Sequence, residues 1–171
     1  MKYYLDANYA LKIKYPDKII AYMNRLHDLG LEAYEDPIDA DFGTYRYIQE
    51  RVRVKLMIDE RARTPQAVMR VVQERCARMI NVHANWSGGF QPGLRKAAIA
   101  ALGGVTTMIG STVYLGPGSA AYQTLSSVLP LEAPCEQLFN EFQSNTFAVA
   151  DPYELRDGRY FIRDAPGLGG G

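Results

Sequence analysis

Three short apolar stretches, each ending in an acidic residue, constrain the fold of this chain more than any other feature. The acids are Asp6, Glu35 and Asp59, and the spacings between them are 29 and 24 residues. Each spacing suits one strand–helix unit, since a strand that returns parallel to its neighbour needs a long crossover, usually a helix. Parallel strands end at one edge of a sheet, so the three carboxylates are predicted to converge there. Converging carboxylate oxygens favour a Mg²⁺ site. A loop or helix-capping role is the alternative for any one of them taken singly.

Composition excludes several classes of function. The 171 residues suit one domain, and 19 basic residues balance 19 acidic ones, which gives no electrostatic indication of nucleic acid or an anionic membrane as partner. No apolar run is long enough for a transmembrane helix, and the N-terminus lacks the apolar core of a signal peptide. Cys76 and Cys135 lie in unrelated segments, which is typical of free thiols in a reducing compartment. We therefore expect a cytoplasmic protein.

Strand and helix patterns alternate along most of the chain. They predict five β/α units, with a sixth strand considered near Cys135. A closed barrel of this type has eight strands in about 250 residues, so the prediction is a partial (β/α) TIM-type barrel. A doubly wound open sheet is the alternative, but no Gly-x-Gly-x-x-Gly follows the first strand. We expect residues 1–150 to form the barrel domain and 151–171 to form a hairpin, turned at Asp157-Gly158, with a Gly-rich tail.

Several helix boundaries are marked in the sequence. Pro16 is a first-turn residue and Gly30 a stop, while Asp41 and Thr64 are N-cap residues. The helix after the fourth strand is predicted to begin near Pro92. Its apolar positions are Leu94, Ala97, Ala98 and Ala101.

An ordered set of segments resembles landmarks of the enolase superfamily, in its mandelate racemase/muconate lactonizing enzyme branch. The segments are Leu5-Asp6-Ala7-Asn8, Tyr34-Glu35-Asp36-Pro37, Ile58-Asp59-Glu60, Asn81-Val82-His83 through Ser87-Gly88-Gly89, and Pro166-Gly167-Leu168-Gly169. The resemblance covers essentially the whole chain, but only the C-terminal part of such an enzyme. It implies the third to eighth strands of the family's modified barrel, without the capping domain.

The resemblance also implies residue roles. Asp6, Glu35 and Asp59 would bind Mg²⁺, which holds the carboxylate of a small carboxylic acid while a base removes its α-proton. Epimerisation, β-elimination or cycloisomerisation would follow. Three neighbours of the ligands would orient them or support them from behind. These are Asn8, Asp36 and Glu60.

Two departures from the family pattern concern the proton-transfer groups. The family's Lys-x-Lys base motif lies upstream of the first metal-binding Asp, and Lys12-Ile13-Lys14 falls after Asp6, where surface exposure is expected. The muconate-type branch also carries a lysine 24 residues beyond Asp59, and that position is His83 here. Imidazole is a competent acid and base near neutral pH, so His83 is the predicted catalytic residue. Contact with the substrate and a structural role at the strand end are the alternatives.

Five further residues fall in loops that would line the site. Core packing or coverage of the barrel rim is the alternative for the aromatic ones. The predicted substrate-binding residues are Asn85, Trp86, Ser111, Thr112 and Tyr114.

An incomplete barrel exposes strand edges, which favours association. We therefore expect a second polypeptide that supplies the cap, the first strands and Lys-x-Lys, or a homo-oligomer. The alternative function is a non-catalytic remnant or interaction module that keeps the strands and the metal site. A third possibility is that this sequence is one piece of a longer enzyme.

Overall fold

The computed structural model describes residues 3–5, 15–110, 117–132, 153–157, 159–162 and 164–167. The chain divides into two compact units, Met1–Met108 and Ile109–Gly171. Within the described residues, no helix is long and apolar enough to cross a membrane.

The first unit alternates strands and helices. Its elements are β1 (Tyr3–Leu5), α1 (Pro16–Asp28), β2 (Leu31–Glu35), α2 (Phe42–Gln49), β3 (Lys55–Ile58), α3 (Pro65–Glu74), β4 (Met79–Val82), α4 (Ala84–Ser87), α5 (Phe90–Leu102) and most of β5 (Thr106–Ile109). The second unit contains α6 (Pro117–Val128), β6 (Tyr153–Arg156) and β7 (Arg159–Ile162). β6 and β7 pair as the predicted antiparallel hairpin.

A five-stranded sheet in the order β1-β2-β3-β4-β5 organises the fold. The first three pairings are parallel, with Glu35 opposite Met57 and Met57 opposite Met79. The carboxyl ends of β2, β3 and β4 therefore lie at one edge, as the acid spacing predicted. The predicted partial (β/α) barrel is confirmed. The strand considered near Cys135 lies outside the described residues.

Capping residues set the helix starts as the sequence indicated. Pro16 opens α1, and Gly30 follows that helix with a φ of 95°, which favours glycine. The side chain of Asp41 accepts a hydrogen bond from Thr44 N at 2.7 Å at the start of α2. Thr64 caps α3 in the same way.

The region after β4 differs from its prediction. The short helix α4 was not predicted, and α5 begins at Phe90, two residues before Pro92. Of the apolar positions noted in the sequence, Ala97 is buried, Leu94 is partly exposed, and Ala98 and Ala101 are exposed. An Ala-rich helix is apolar on several sides, so neighbouring elements determine which side is buried. The buried residues are Gly93, Lys96, Ala97 and Ala100.

α5 packs closely against α3 at its C-terminal end. A Cβ placed on Gly103 would lie 2.4 Å from both γ-carbons of Val72, which is far inside van der Waals contact. Glycine at position 103 therefore permits this helix approach.

The amino-terminal edge of the sheet is held by one arginine. Arg78, just before β4, donates from Nη2 to the carbonyl oxygens of Val52, Arg53 and Val54 at 2.9–3.0 Å. One guanidinium thus fastens the entry of β4 to the turn that enters β3.

Candidate active site

Glu35 ends β2 with a buried carboxylate. Glu35 is 4% exposed, and its Oε1 accepts a hydrogen bond from Asn81 Nδ2 at 2.8 Å. Asn81 lies on β4, so this bond reaches across β3. Sequence reasoning gave Asn81 no role, although a polar residue within the apolar run of a buried strand was a usable signal. Asn81 fixes the direction of the carboxylate predicted to bind a metal.

Asp36 ties the end of β2 to the end of β3. Its carboxylate accepts hydrogen bonds from Glu60 N at 3.0 Å and from the hydroxyl of Tyr45 at 3.0 Å, and Asp59 N lies 3.4 Å away. Burial raises the pKa of Asp36, and the hydrogen bonds from Glu60 N–H and Tyr45 act in the opposite direction. These contacts make Asp36 an anchor for the Asp59-Glu60 backbone, and its role in orienting metal ligands stays a prediction.

Asp59 and His83 meet at the ends of β3 and β4. His83 Nε2 lies 3.3 Å from Asp59 Oδ2, and the two side chains are 5% and 13% exposed, respectively. His83 Nδ1 is buried and has no hydrogen-bond partner among the described residues. The structure thus places the predicted catalytic residue in direct contact with a predicted metal ligand.

Trp86 covers the other side of His83. The two rings stack with centroids 4.2 Å apart and planes 25° apart. The Arg63 guanidinium carbon lies over the Trp86 ring, 4.6 Å from its centroid. This is a cation–π arrangement, in which the face of the ring attracts the positive charge of the guanidinium. Trp86 is 41% exposed, and Asn85 beside it on α4 is also exposed. Both are placed where a ligand at this edge could contact them, and their substrate role stays a prediction.

Lys96 is a charged residue of this region to which the sequence analysis gave no role. It is 1% exposed on α5, and its Nζ donates to Ser87 Oγ at 3.1 Å. Burial lowers the pKa of Lys96 to about 8, Asp59 opposes that shift, and Arg63 adds to it. The spacing of Lys96 from Gly93, Ala97 and Ala100 was the available signal, since it places the lysine on their helical face.

Of the remaining predicted site residues, Glu60 is described by the structure and the others are not. Glu60 contributes its backbone N–H to Asp36, while its side chain is exposed. Outside the described residues lie Asp6, Asn8, Ser111, Thr112 and Tyr114. Within the part of the chain that the structure describes, no three His, Cys, Asp or Glu side chains form a metal-binding group.

Comparison with known proteins decides the family. A family model described as "Enolase C-terminal domain-like" matches residues 2–170. The chain belongs to the enolase superfamily. It represents the C-terminal portion of the mandelate racemase/muconate lactonizing enzyme branch, as the resemblance predicted.

Enolase-superfamily relatives with assigned activities match most of this chain. It is 29% identical to L-Ala-D/L-Glu epimerase from Bacillus subtilis over 127 residues, which are 71% of this chain and 34% of the relative. It is 28% identical to chloromuconate cycloisomerase from Cupriavidus necator over 150 residues, 85% of this chain and 40% of the relative. The chain thus spans well under half the length of these isomerases.

Solved structures of the superfamily share the fold. Muconate cycloisomerase from Pseudomonas fluorescens superposes with a TM-score of 0.86 at 22% identity, over 99% of this chain and 46% of that one. A substrate-liganded L-Ala-D/L-Glu epimerase from Bacillus subtilis gives 0.85 at 23% identity, over 99% and 47%.

Proposed function

We propose that this chain is the C-terminal barrel part of a Mg²⁺-dependent enzyme that abstracts the α-proton of a small carboxylic acid. Racemisation or epimerisation, cycloisomerisation and dehydration are the outcomes within this proposal. The observation that carries it is the Asp59–His83 contact at the carboxyl ends of β3 and β4, with the buried carboxylate of Glu35 at the end of the neighbouring strand β2. The epimerase and cycloisomerase relatives support the reaction class.

Glu35 and Asp59, together with Asp6, would hold the metal. Their hard carboxylate oxygens suit Mg²⁺, whereas the carboxylate of Asp36 already accepts hydrogen bonds from Glu60 N–H and Tyr45. Bound Mg²⁺ would stabilise the negative charge that develops on the substrate carboxylate when the α-proton leaves.

His83 would transfer the proton. Its contact with Asp59 favours a proton on Nε2, which leaves the lone pair on Nδ1 in the neutral ring. Packing against Trp86 restricts the ring further. The imidazole is therefore held in one orientation, and the proposal assigns it the transfer of the α-proton.

The proposed active site also needs groups beyond those assigned above. A second polypeptide would carry the capping domain, the first barrel strands and the Lys-x-Lys base, and a homo-oligomer is the alternative. We place the enzyme in the cytoplasm, a proposal supported by the free thiol of Cys76.

The test is α-proton exchange in D₂O with Mg²⁺, followed by NMR on the complex purified from its source. A panel of dipeptides, N-acyl amino acids, sugar acids and muconate-like diacids covers the substrate class. H83Q should lower the exchange rate about 10²- to 10⁴-fold, the usual contribution of a general acid–base group. H27Q is the matched control, since His27 lies on α1 and is the only other histidine.

If the α-proton exchange rate of H83Q equals that of the wild type, His83 does not transfer the proton. No exchange with any member of the panel, from a complex that binds Mg²⁺, would instead favour the non-catalytic remnant. The observation that favours the non-catalytic remnant is His83 itself, which stands where the muconate-type branch carries a lysine.

A further inference from the structure

Lys96 is a buried cation that the proposed proton transfer does not use. A buried ammonium is costly unless it is well paired. Within the described residues its single hydrogen bond goes to a neutral group, Ser87 Oγ, at 3.1 Å. α5 therefore keeps a lysine where an apolar side chain of similar length would avoid this cost.

The bond from Lys96 leads directly to His83. Ser87 Oγ donates to the carbonyl oxygen of His83 at 2.7 Å, and Ser87 N donates to the same oxygen at 3.0 Å. Ser87 thus closes the single turn of α4 onto His83, the residue that follows β4 and occupies the N-cap position of α4. Trp86 lies on this turn, with its ring stacked on His83.

α4 needs support from outside itself. It has four residues, and its N-cap position makes no side-chain hydrogen bond. A helix of one turn is unstable alone, because nucleation fixes several residues for few hydrogen bonds. Lys96 supplies a bond from the longer helix α5 to the last residue of this turn.

We propose that Lys96 is a positioning residue that holds Ser87 and α4, and thereby keeps the Trp86 ring stacked on His83. Asp59 attracts the Lys96 ammonium and Arg63 repels it. A consequence for catalysis rests on the proposed function, whereas the positioning itself does not.

Fluorescence of the full chain tests the positioning, since Trp86 is the only tryptophan. K96M should shift the emission to longer wavelength and raise the acrylamide quenching constant, because the ring leaves His83 and becomes more exposed. The wild type should also show an emission change near pH 8, where Lys96 loses its charge, and K96M should not. K18M is the control, since Lys18 lies on α1 with an exposed side chain.

A second variant guards against misfolding of K96M. S87A leaves Lys96 in place but removes the linking hydroxyl, so the same emission shift and quenching are expected while circular dichroism stays native. Wild-type fluorescence in folded K96M or S87A would overturn the proposal. Activity separates the two ideas: loss in H83Q with full activity in K96M would leave the proposed function standing and overturn the catalytic consequence of the positioning.

Discussion

Lys96 makes the stability of the chain depend on pH in a direction unusual for a surface lysine. Its pKa is about 8 in the folded chain, against an ordinary value of 10.5. Between these values the unfolded chain binds a proton that the folded chain does not, so the free energy of unfolding rises with pH. The gain of the wild type relative to K96M should reach up to about 3 kcal/mol across this window.

Denaturant titrations of both proteins at pH 7, 8, 9 and 10.5 measure this difference. Cys76 works in the opposite direction, because burial raises the pKa of its thiol to about 12. That contribution is common to both proteins and cancels. A difference that stays constant from pH 8 to 10.5 would mean that Lys96 remains charged in the folded chain.

The predicted metal ligands give a second expectation at the scale of single residues. Mg²⁺ should raise the melting temperature of the wild type, since a ligand present at 100 times its Kd stabilises a folded protein by about 2.7 kcal/mol. E35Q and D59N should lose this response, because each replaces a carboxylate with an amide.

Differential scanning calorimetry with Mg²⁺, against an equal ionic strength of Na⁺, makes the measurement. E32Q is the matched control, since Glu32 lies on the same strand, β2, with a partly exposed side chain. An equal Mg²⁺ response in all four proteins would place the ion elsewhere on the chain.

The close approach of α5 to α3 at Val72 requires glycine at position 103. G103A should destabilise the chain by about 1–3 kcal/mol, the usual cost of overpacking, because its Cβ would clash with Val72. In the V72A background the cost should fall but not vanish, since both γ-carbons are gone while the Cβ of residue 72 remains 2.9 Å away.

Gly104 provides the comparison for this double-mutant cycle. A Cβ there would meet nothing within 4 Å, but φ is 71°, so G104A is strained by its backbone instead. Its cost, measured by urea denaturation, should be the same in the wild-type and V72A backgrounds. Equal costs of G103A in both backgrounds would show that α5 moves away from α3 freely.

At the level of elements, the sequence predicted what local chemistry specifies. Asp41, Thr64 and Pro16 mark helix starts through hydrogen bonds and φ values that need no tertiary partner. The positions of Glu35 and Asp59 at strand ends were predicted for a similar reason, because the length of one strand–helix unit determines where the next strand ends. The buried face of α5 was not predicted, because it is determined by packing against α3 and β4. That packing buries Lys96, although the helix offers many alanines. Asn81 was missed because its partner lies 46 residues away along the chain.

For the whole molecule, association is the property that remains to be measured. In the described sheet β1 has a neighbour on one side only, and Leu29 and Leu102 are 75% and 92% exposed. We expect the untagged protein, purified from its source in Mg²⁺ buffer, to have a native mass well above 19.1 kDa. Native mass spectrometry should then detect a second polypeptide with the Lys-x-Lys motif.

A lone monomer would contradict the partner proposal. An oligomer of this chain alone would leave the base motif unsupplied and favour the remnant. Mass and exchange activity must therefore be measured on the same preparation.

Arg78 has a consequence for how such a chain can change over time. Its three hydrogen bonds hold β3 and β4 at their amino-terminal ends, whereas Glu35, Asp59 and His83 occupy the opposite edge. Substitutions at that opposite edge remove none of these three hydrogen bonds. Evolution, or a mutagenesis library confined to positions 83–87, can therefore replace side chains there while β3 and β4 stay fastened together.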